Sequence, residues 1–185
     1  MKLAVFASGT GSNFLAMLED EGIKDKIELL VSDKPDAKAI QTAKEYGISF
    51  FSFDPKDYEN KAAYEREIKD LLQDKAINFI ILAGYMRLIG HTLLSVYEGK
   101  IINVHPSDLP NFPGKDAIGQ ALRAKVKETG VTIHYVDAGM DTGPIIAQEK
   151  VAIQEEDSLE TLMARIQDVE HRLYPKVIKQ LMEDL

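Results

Sequence analysis

The segment "KLAVFASGTGSNF", residues 2–14, joins a short apolar run to a glycine-rich loop and then to the polar start of a helix. An apolar run this short, followed directly by glycines, is typical of a buried strand and too short for a secretory signal. The glycines allow a tight turn from the strand into the helix. This order of strand, turn and helix is how an α/β sheet begins.

Apolar runs and segments of helical period continue to alternate along the first two thirds of the chain. The predicted strands are 2–7, 27–32, 48–53, 78–83 and 100–105, and the predicted helices lie near 12–22, 36–46, 60–74 and 90–97. Because parallel strands need crossover connections, this order predicts a mainly parallel sheet covered by helices on both faces. We therefore expect the α/β class.

The pattern changes in the last third of the chain. A helix is predicted near 115–127, and two strand-like runs that flank an Asp/Gly loop in residues 131–151 predict a β-hairpin. A capping-box signal at residues 157–160 opens a final helix, which Tyr174-Pro175 should kink or end. We expect residues 1–185 to form one domain with this hairpin and helix at its C-terminal end.

Composition favours small-molecule partners. The net charge of −8 and the pI near 5.0 disfavour nucleic-acid binding, because a surface that binds nucleic acid needs clustered Lys and Arg. No apolar run approaches the roughly 20 residues of a membrane span, and the absence of cysteine suits a reducing cytosol. We expect a cytoplasmic monomer or homodimer that binds neither nucleic acid nor membranes.

The loop Ser8–Asn13 joins the first strand to a helix whose free N–H groups favour an anion. Phe14 stands where a dinucleotide fingerprint needs its third glycine, and the Gly-Lys-Ser/Thr of a Walker loop is missing. A single phosphate on the backbone and on the side chains of Ser12 and Asn13 is one interpretation. A plain strand-to-helix turn is the other.

Two polar residues, Asn103 and His105, end an otherwise apolar strand. They are two positions apart and project from the same face, and Pro106 ends the ladder beside them. An amide next to an imidazole can stabilise an oxyanion and move a proton, which suits acyl or formyl transfer. A capped strand end with a satisfied histidine is the alternative. Asp141 is the natural carboxylate to orient His105, although the sequence alone does not place the two together.

Two further observations concern possible ligands. Glu170 falls within the apolar stripe of the final helix, so it needs either a ligand amine or amide, an internal Lys or Arg, or a cleft beside the stripe. The histidines, among them His134 in a strand run, show no metal-ligand spacing, and we expect no metal. No Gly-x-Ser-x-Gly elbow is present either.

Five motifs together resemble one family. They are "SGTGSN" (8–13), "AGYMRLIG" (83–90), "NVHPSDLPNFPG" (103–114), "VTIHYVDAGMDTGPIIAQ" (131–148) and "EHRLYP" (170–175). In this order and spacing they resemble the phosphoribosylglycinamide formyltransferases of purine biosynthesis, nearly from end to end. The resemblance implies a Rossmann-like formyltransferase fold and formyl transfer from 10-formyltetrahydrofolate to the amine of glycinamide ribonucleotide, with no metal.

The resemblance also implies roles for individual residues. Asn103, His105 and Asp141 would form the catalytic group that stabilises a tetrahedral intermediate. The ribonucleotide would contact Gly11, Ser12, Asn13, Lys61, Pro106 and Glu170. The folate would lie against Met86, Arg87, Leu88, Ile89, Val136, Asp137 and Met140.

The chain departs from the family pattern at two of the quoted positions. Asp108 stands where Leu is usual, which adds a charge that could alter packing or face water. Lys61 stands where some relatives have Arg, and Lys would contact a phosphate as a point charge.

Three other functions fit parts of the pattern. Methionyl-tRNA formyltransferase usually adds a C-terminal RNA-binding domain, and formyltetrahydrofolate deformylase an N-terminal regulatory domain, and we expect neither here. A non-catalytic nucleotide- or folate-binding module is disfavoured because all three polar catalytic residues are retained.

Overall fold

The computed structural model describes residues 1–185 and contains one seven-stranded sheet between two layers of helices. The strands are β1 (Leu3–Phe6), β2 (Ile27–Ser32), β3 (Phe50–Ser52), β4 (Phe79–Leu82), β5 (Ile101–His105), β6 (Glu128–Tyr135) and β7 (Ile145–Ala152). The helices are α1 (Ser12–Leu18), α2 (Glu21–Lys24), α3 (Lys38–Glu45), α4 (Lys61–Asp74), α5 (His91–Tyr97), α6 (Ala117–Ala124) and α7 (Leu159–Asp184). The α/β class is confirmed.

The strand order β3-β2-β1-β4-β5-β6-β7 makes the first five strands parallel, with β6 and β7 joined antiparallel at one side. The chain moves outward from β1 to β3 and then returns to the other side of β1 with β4. Ligands of open α/β sheets bind beyond the carboxyl ends of the strands at such a reversal. The topology therefore places a crevice between the ends of β1 and β4, next to the end of β5.

Alternate residues of each strand face opposite sides of the sheet, and each side has its own core. In β1, Val5 packs with the cluster formed by α1, α3 and α7, whereas Phe6 packs with the cluster under α4 and α5. Both are completely buried. Because helices cover both faces of the sheet, residues on both sides of each strand are buried, which explains why the strands are continuous apolar runs in the sequence. None of the helices combines the length and apolar character of a membrane span.

The predicted helix at 12–22 is wrong in one respect, because the structure divides it into α1 and α2. Asp20 ends the first helix and caps the second, since its side chain accepts a hydrogen bond from Gly22 N at 2.9 Å. Aspartate favours such caps over a helix interior, because its short side chain competes for nearby backbone N–H groups. The other predicted elements and the hairpin lie within three residues of the observed bounds.

The final helix does not end at Tyr174-Pro175, because α7 continues through Pro175 to Asp184; the kink that was the other predicted outcome stays a prediction. Proline removes one intrahelical hydrogen bond, but tertiary packing supplies most helix stability. Tyr174 is fully buried and its hydroxyl donates to the carbonyl of Leu82 at 2.8 Å. Val177 is buried beyond the proline, so core contacts hold the helix on both sides of it.

Candidate active site

A cavity of about 510 Å³ lies at the carboxyl edge of the sheet, between the ends of β1, β4 and β5 and the N-terminal half of α7. Most of the predicted site residues line it, although they come from distant parts of the chain. Those on the cavity wall are Gly11, Ser12, Asn13, Met86, Arg87, Leu88, Asn103, His105, Pro106, Met140, Asp141 and Glu170. The fold therefore brings the glycine loop, the end of β5 and the hairpin loop to one place.

His105 is the last residue of β5 and is 5% exposed. Its Nε2 lies 2.9 Å from the carbonyl oxygen of Phe112. Because a carbonyl can only accept, Nε2 carries a hydrogen, which leaves Nδ1 to face Asp141. The distance from Nδ1 to Asp141 Oδ2 is 3.5 Å. The structure thus supplies the pairing of imidazole and carboxylate that the sequence could not establish.

Asp141 adopts a positive φ of 55°, a conformation that Asp tolerates better than most residues. Its Oδ2 accepts a hydrogen bond from Gly114 N at 2.8 Å. The segment that follows β5 therefore touches both members of the pair, His105 through Phe112 and Asp141 through Gly114. Their relative position depends on this segment as well as on their own elements.

Asn103 lies opposite His134 in the ladder of β5 and β6. The Nδ1 of His134 donates to the carbonyl of Tyr135 at 2.8 Å, so its Nε2 is left as an acceptor for the Asn103 amide at 3.3 Å. Burial lowers the pKa of His134, which favours this neutral form. The second amide hydrogen of Asn103 remains free to point into the cavity.

The glycine loop turns at Gly11, where φ is 72°. A Cβ atom there would lie 2.8 Å from the Cβ of Ala39, so both conformation and space require glycine. The first intrahelical bond of α1 runs from Leu15 N to Gly11 O at 2.8 Å. The N–H groups of Ser12 and Asn13 precede that bond and are free for a ligand.

Glu170 is 8% exposed and lies on α7 where the helix borders the cavity. Its Oε2 accepts a hydrogen bond from the Nδ2 of Asn13 at 3.1 Å. Burial raises the pKa of Glu170, and the bond from Asn13 partly opposes this. The internal partner is therefore an amide and not the Lys or Arg that we considered. The stripe does turn toward a cleft, because Met163 on the same side of α7 also lines the cavity.

Large apolar side chains are unusually exposed around the cavity. Met86, Leu88 and Met140 are 60%, 46% and 48% exposed, and Leu159 and Met163 on α7 are also exposed. All five line the cavity wall. Apolar surface that converges on a cavity with a few polar groups is typical of a small-molecule site.

Four predicted site residues lie off the cavity wall, namely Lys61, Ile89, Val136 and Asp137. The Nζ of Lys61 donates to the carbonyl of Leu88 at 2.9 Å, and Ile89 is buried in the core. Val136 donates its backbone N–H to Ile101 O, and Asp137 accepts bonds from Gly139 N and the Thr142 hydroxyl within its own loop. Their predicted contacts with substrates remain predictions.

Asp108, the departure from the family pattern, is 4% exposed and does not face water. Its Oδ2 accepts hydrogen bonds from Lys150 Nζ at 2.9 Å and Asn111 Nδ2 at 3.2 Å. Lys150 on β7 thus offsets part of the cost of burying this charge, whereas Oδ1 is buried without a hydrogen-bond partner.

Sequence reasoning missed a buried acid that joins two walls of the cavity. Asp33 follows β2, and its Oδ1 and Oδ2 accept bonds from the Ser8 hydroxyl at 2.5 Å and from Arg87 Nε at 3.0 Å. The available signal was its position, a polar residue at the carboxyl end of an apolar strand. Thr10, Tyr85, Lys115 and Asp116 line the cavity and were also missed.

The fold and the cavity together define a class of protein, the α/β proteins with a small-molecule site at the carboxyl edge of an open, mainly parallel sheet. At that edge an amide, an imidazole and a carboxylate are grouped. No group of three or more His, Cys, Asp or Glu side chains is arranged to hold a metal ion.

Comparison with known proteins then identifies the family. A family model described as formyl transferase matches residues 1–178. The phosphoribosylglycinamide formyltransferase of Bacillus subtilis (strain 168) is 58% identical over 184 residues, which are 98% of this chain and 94% of the relative. The crystal structure of phosphoribosylglycinamide formyltransferase from Bacillus halodurans is 55% identical and superimposes with a TM-score of 0.95, covering 98% of this chain and 95% of the other. This chain belongs to the formyl transferase family.

A more distant relative is part of a longer protein. The trifunctional purine biosynthetic protein adenosine-3 of Drosophila melanogaster is 36% identical over 98% of this chain, which spans 14% of that protein.

Proposed function

We propose that this chain is a purine-biosynthetic enzyme that transfers the formyl group of 10-formyltetrahydrofolate to the amine of glycinamide ribonucleotide. One observation carries the proposal: in a chain of the formyl transferase family, Asn103, His105 and Asp141 line one cavity at the carboxyl end of β5. Amide, imidazole and carboxylate are the groups that an acyl-type transfer needs, namely oxyanion donors and a route for protons.

The transfer proceeds by addition and elimination. The ribonucleotide amine attacks the formyl carbon, a C–N bond forms, and the carbonyl oxygen becomes an oxyanion. The free amide hydrogen of Asn103 and a proton on His105 stabilise that charge. The bond from the formyl carbon to the folate nitrogen then breaks, and the proton lost by the attacking amine is delivered to that nitrogen. No covalent enzyme intermediate is needed.

Asp141 supports the proton on His105. At 3.5 Å, Nδ1 and Asp141 Oδ2 are farther apart than in a formed N–H···O hydrogen bond. The Nδ1 hydrogen is therefore free to turn toward a developing oxyanion in the cavity, while the carboxylate beside it orients the ring. Catalytic hydrogen bonds are often long before substrates bind and shorten in the complex.

The ribonucleotide fits the side of the cavity formed by α1 and α7. Its phosphate would accept bonds from the free N–H groups of Ser12 and Asn13, next to Gly11. Glu170 would meet its amide end, and Pro106 would form part of the floor. Lys61 would reach the phosphate after its side chain leaves the carbonyl of Leu88.

The formyl donor fits the apolar side of the cavity. The exposed side chains of Met86, Leu88 and Met140 offer surface for a flat pterin ring, and Arg87 lies between them in sequence. Other backbone groups of the loop that begins at Val136 and Asp137 would contact the ring edge, since the Val136 N–H already donates to Ile101 O, and Ile89 would pack behind the ring. The residues present therefore suit a folate.

Calorimetric titration tests both ligand assignments. Glycinamide ribonucleotide and a stable deaza analogue of 10-formyltetrahydrofolate should each bind alone and should bind together at a ratio of one each. Binding of the analogue without any binding of the ribonucleotide would contradict the proposal and favour a deformylase.

Cytoplasmic localisation, the single domain, and a monomeric or homodimeric state remain predictions.

A further inference from the structure

An acid lies at the carboxyl end of β2, where dinucleotide-binding sheets carry the acid that binds a ribose hydroxyl. Asp33 directly follows Ser32, about 20 residues after the glycine loop, which is the spacing of that acid. It is 3% exposed. Its two oxygens already bind groups of this protein, so it has a different task here.

The carboxylate of Asp33 connects to two consecutive residues of the loop that follows β4. Arg87 Nε donates to Oδ2 at 3.0 Å. The Ser8 hydroxyl donates to Oδ1 at 2.5 Å and in turn accepts a bond from Met86 N at 2.8 Å. One carboxylate therefore holds Arg87 directly and Met86 through a single hydroxyl.

This loop depends on side chains for its position. Residues 85–89 make no backbone–backbone hydrogen bond. Apart from the Asp33 network, Lys61 Nζ donates to Leu88 O at 2.9 Å, and at the end of the stretch Gly90 N donates to Glu65 Oε2 at 2.8 Å. At Met86 and Arg87, between the packed side chains of Tyr85 and Ile89, the Asp33 network supplies the only polar contacts.

Burial makes the carboxylate the fixed member of this network. The side chain of Asp33 is 1% exposed, whereas that of Arg87 is 43% exposed and lies at the cavity wall. A buried carboxylate is costly unless it is paired and hydrogen-bonded. Charge-assisted bonds of this kind are stronger than neutral ones and directional, so Arg87 and Met86 are drawn to one place.

We propose that Asp33 is a positioning residue for the formyl donor, which fixes Met86 and Arg87 as the folate wall of the cavity. The inference rests on the proposed function, because it assigns that wall to the folate. Asp33 touches no reacting atom. It acts through Ser8 and Arg87.

The substitution Asp33→Asn tests the proposal, with Asp36→Asn as its control. Asparagine has one oxygen and no charge. If that oxygen stays on Arg87 Nε, the NH₂ group must donate to the Ser8 hydroxyl, which then turns its own hydrogen away, and both bonds lose the charge assistance of the carboxylate. Asp36 is exposed, makes no side-chain hydrogen bond and lies in the same connection, so its substitution removes the same charge. We expect the Kd of the deaza analogue to rise about 10-fold in Asp33→Asn, as for loss of one hydrogen bond to a charged group.

Kinetics separate positioning from a general structural role. Asp33→Asn should raise the KM for the formyl donor about 10-fold and leave kcat and the KM for the ribonucleotide within about threefold. Asp36→Asn should change every constant by less than about twofold. Similar changes in all three constants, with both KM values higher and kcat lower, together with a lower Tm would overturn the proposal. An unchanged KM for the formyl donor would also overturn it.

Hydrogen exchange supplies a readout that does not need folate. The amide of Met86 should exchange faster in Asp33→Asn and in Ser8→Ala than in the wild-type protein, with protection in the strands unchanged. Unchanged protection of Met86 would overturn the positioning role. If the Met86 amide exchanges faster in the variants but the wild-type protein transfers no formyl group, Asp33 still positions the loop and the proposed function is rejected. If Asp33→Asn does not fold, Ser8→Ala serves as the variant for every measurement.

Discussion

At the scale of single residues, the proposed mechanism depends most on His105. It is nearly buried at a strand end, one ring nitrogen is committed to a backbone carbonyl, and the other faces a carboxylate. A histidine with only a structural role would need no such carboxylate at the edge of a cavity. Its proposed tasks are oxyanion stabilisation and proton movement.

Replacing His105 by alanine should lower kcat by about 10² to 10⁴, because both tasks are lost. Steady-state kinetics at saturating substrates measures this. The matched control is His91→Ala on α5, since His91 is exposed and lies off the cavity wall. Activity of His105→Ala within about twofold of the control would remove His105 from the mechanism.

Asp141→Asn should reduce kcat by roughly 10²-fold, within the range for loss of a group that supports general acid–base catalysis. Asparagine keeps the size and an oxygen for the bond from Gly114 N, so the fold should persist. Thermal unfolding and kinetics should be measured together, with Asp168→Asn on the exposed side of α7 as the control. A loss of Tm without a loss of kcat would assign Asp141 a structural role.

Glu170→Gln should raise the KM for the ribonucleotide about 10-fold, because a hydrogen bond to a charged group is lost. The kcat should change less. An unchanged KM for the ribonucleotide would limit Glu170 to its bond with Asn13.

The same substitution should change the pH dependence of stability. Burial raises the pKa of Glu170 above its unfolded value of 4.5, so its contribution is fully present below pH 4.5 and is lost as the pH rises through the folded pKa. Glutamine has no charge to bury and can still accept a bond from Asn13. Glu170→Gln should therefore have a higher Tm than the wild-type protein at pH 7, with the difference shrinking toward pH 4. A lower Tm at pH 7 would contradict this.

At the scale of elements, α7 connects the core to the cavity. Tyr174 anchors the helix by donating to the carbonyls of Leu82 at 2.8 Å and Ile102 at 3.3 Å, in the neighbouring strands β4 and β5. Glu170 lies one turn earlier on the same helix. The position of that carboxylate thus depends on a buried hydroxyl in the core.

Tyr174→Phe should destabilise the protein by about 1–3 kcal/mol, because two buried carbonyls lose a shared donor. For a chain of this size each kcal/mol lowers Tm by roughly 2–4 °C. Tyr46→Phe is the control, since the Tyr46 hydroxyl makes no hydrogen bond and its ring is only partly buried. Equal Tm values for the two variants would show that the Tyr174 hydroxyl contributes nothing measurable.

Elements of the fold were predictable where local signals agree with the tertiary structure. Five apolar runs, the hairpin and the capping signal at residues 157–160 define most of the sheet and the start of α7, although the observed capping box pairs Ser158 with Thr161. The break at Asp20 was missed because aspartate competes with the helix through one local bond, and the helix through Pro175 was missed because core packing outweighs one lost bond.

Parts of the site were predictable for the same reason. Asn103 and His105 share a strand face, so their spacing alone brings them together. The pairing of His105 with Asp141 crosses 36 positions, from 105 to 141, and depends on the conformation of the hairpin loop and on Gly114. The Asp33 network likewise joins three separate loops, and no local pattern encodes such a contact.

At the scale of the whole molecule, one sheet places the two proposed substrate surfaces on either side of one polar cluster. The α1 and α7 side offers free N–H groups and a buried carboxylate, whereas the loop after β4 offers exposed apolar side chains. The proposed catalytic group lies at the end of β5, next to the hairpin loop. This division predicts that neither substrate alone should suffice for turnover.

The most direct test is formyl transfer followed by absorbance, with 10-formyltetrahydrofolate as donor, in the presence and absence of glycinamide ribonucleotide. We predict turnover of the donor that depends strictly on the ribonucleotide. Conversion of the donor at the same rate without ribonucleotide, or no conversion at all by a folded protein that binds both ligands, would contradict the account.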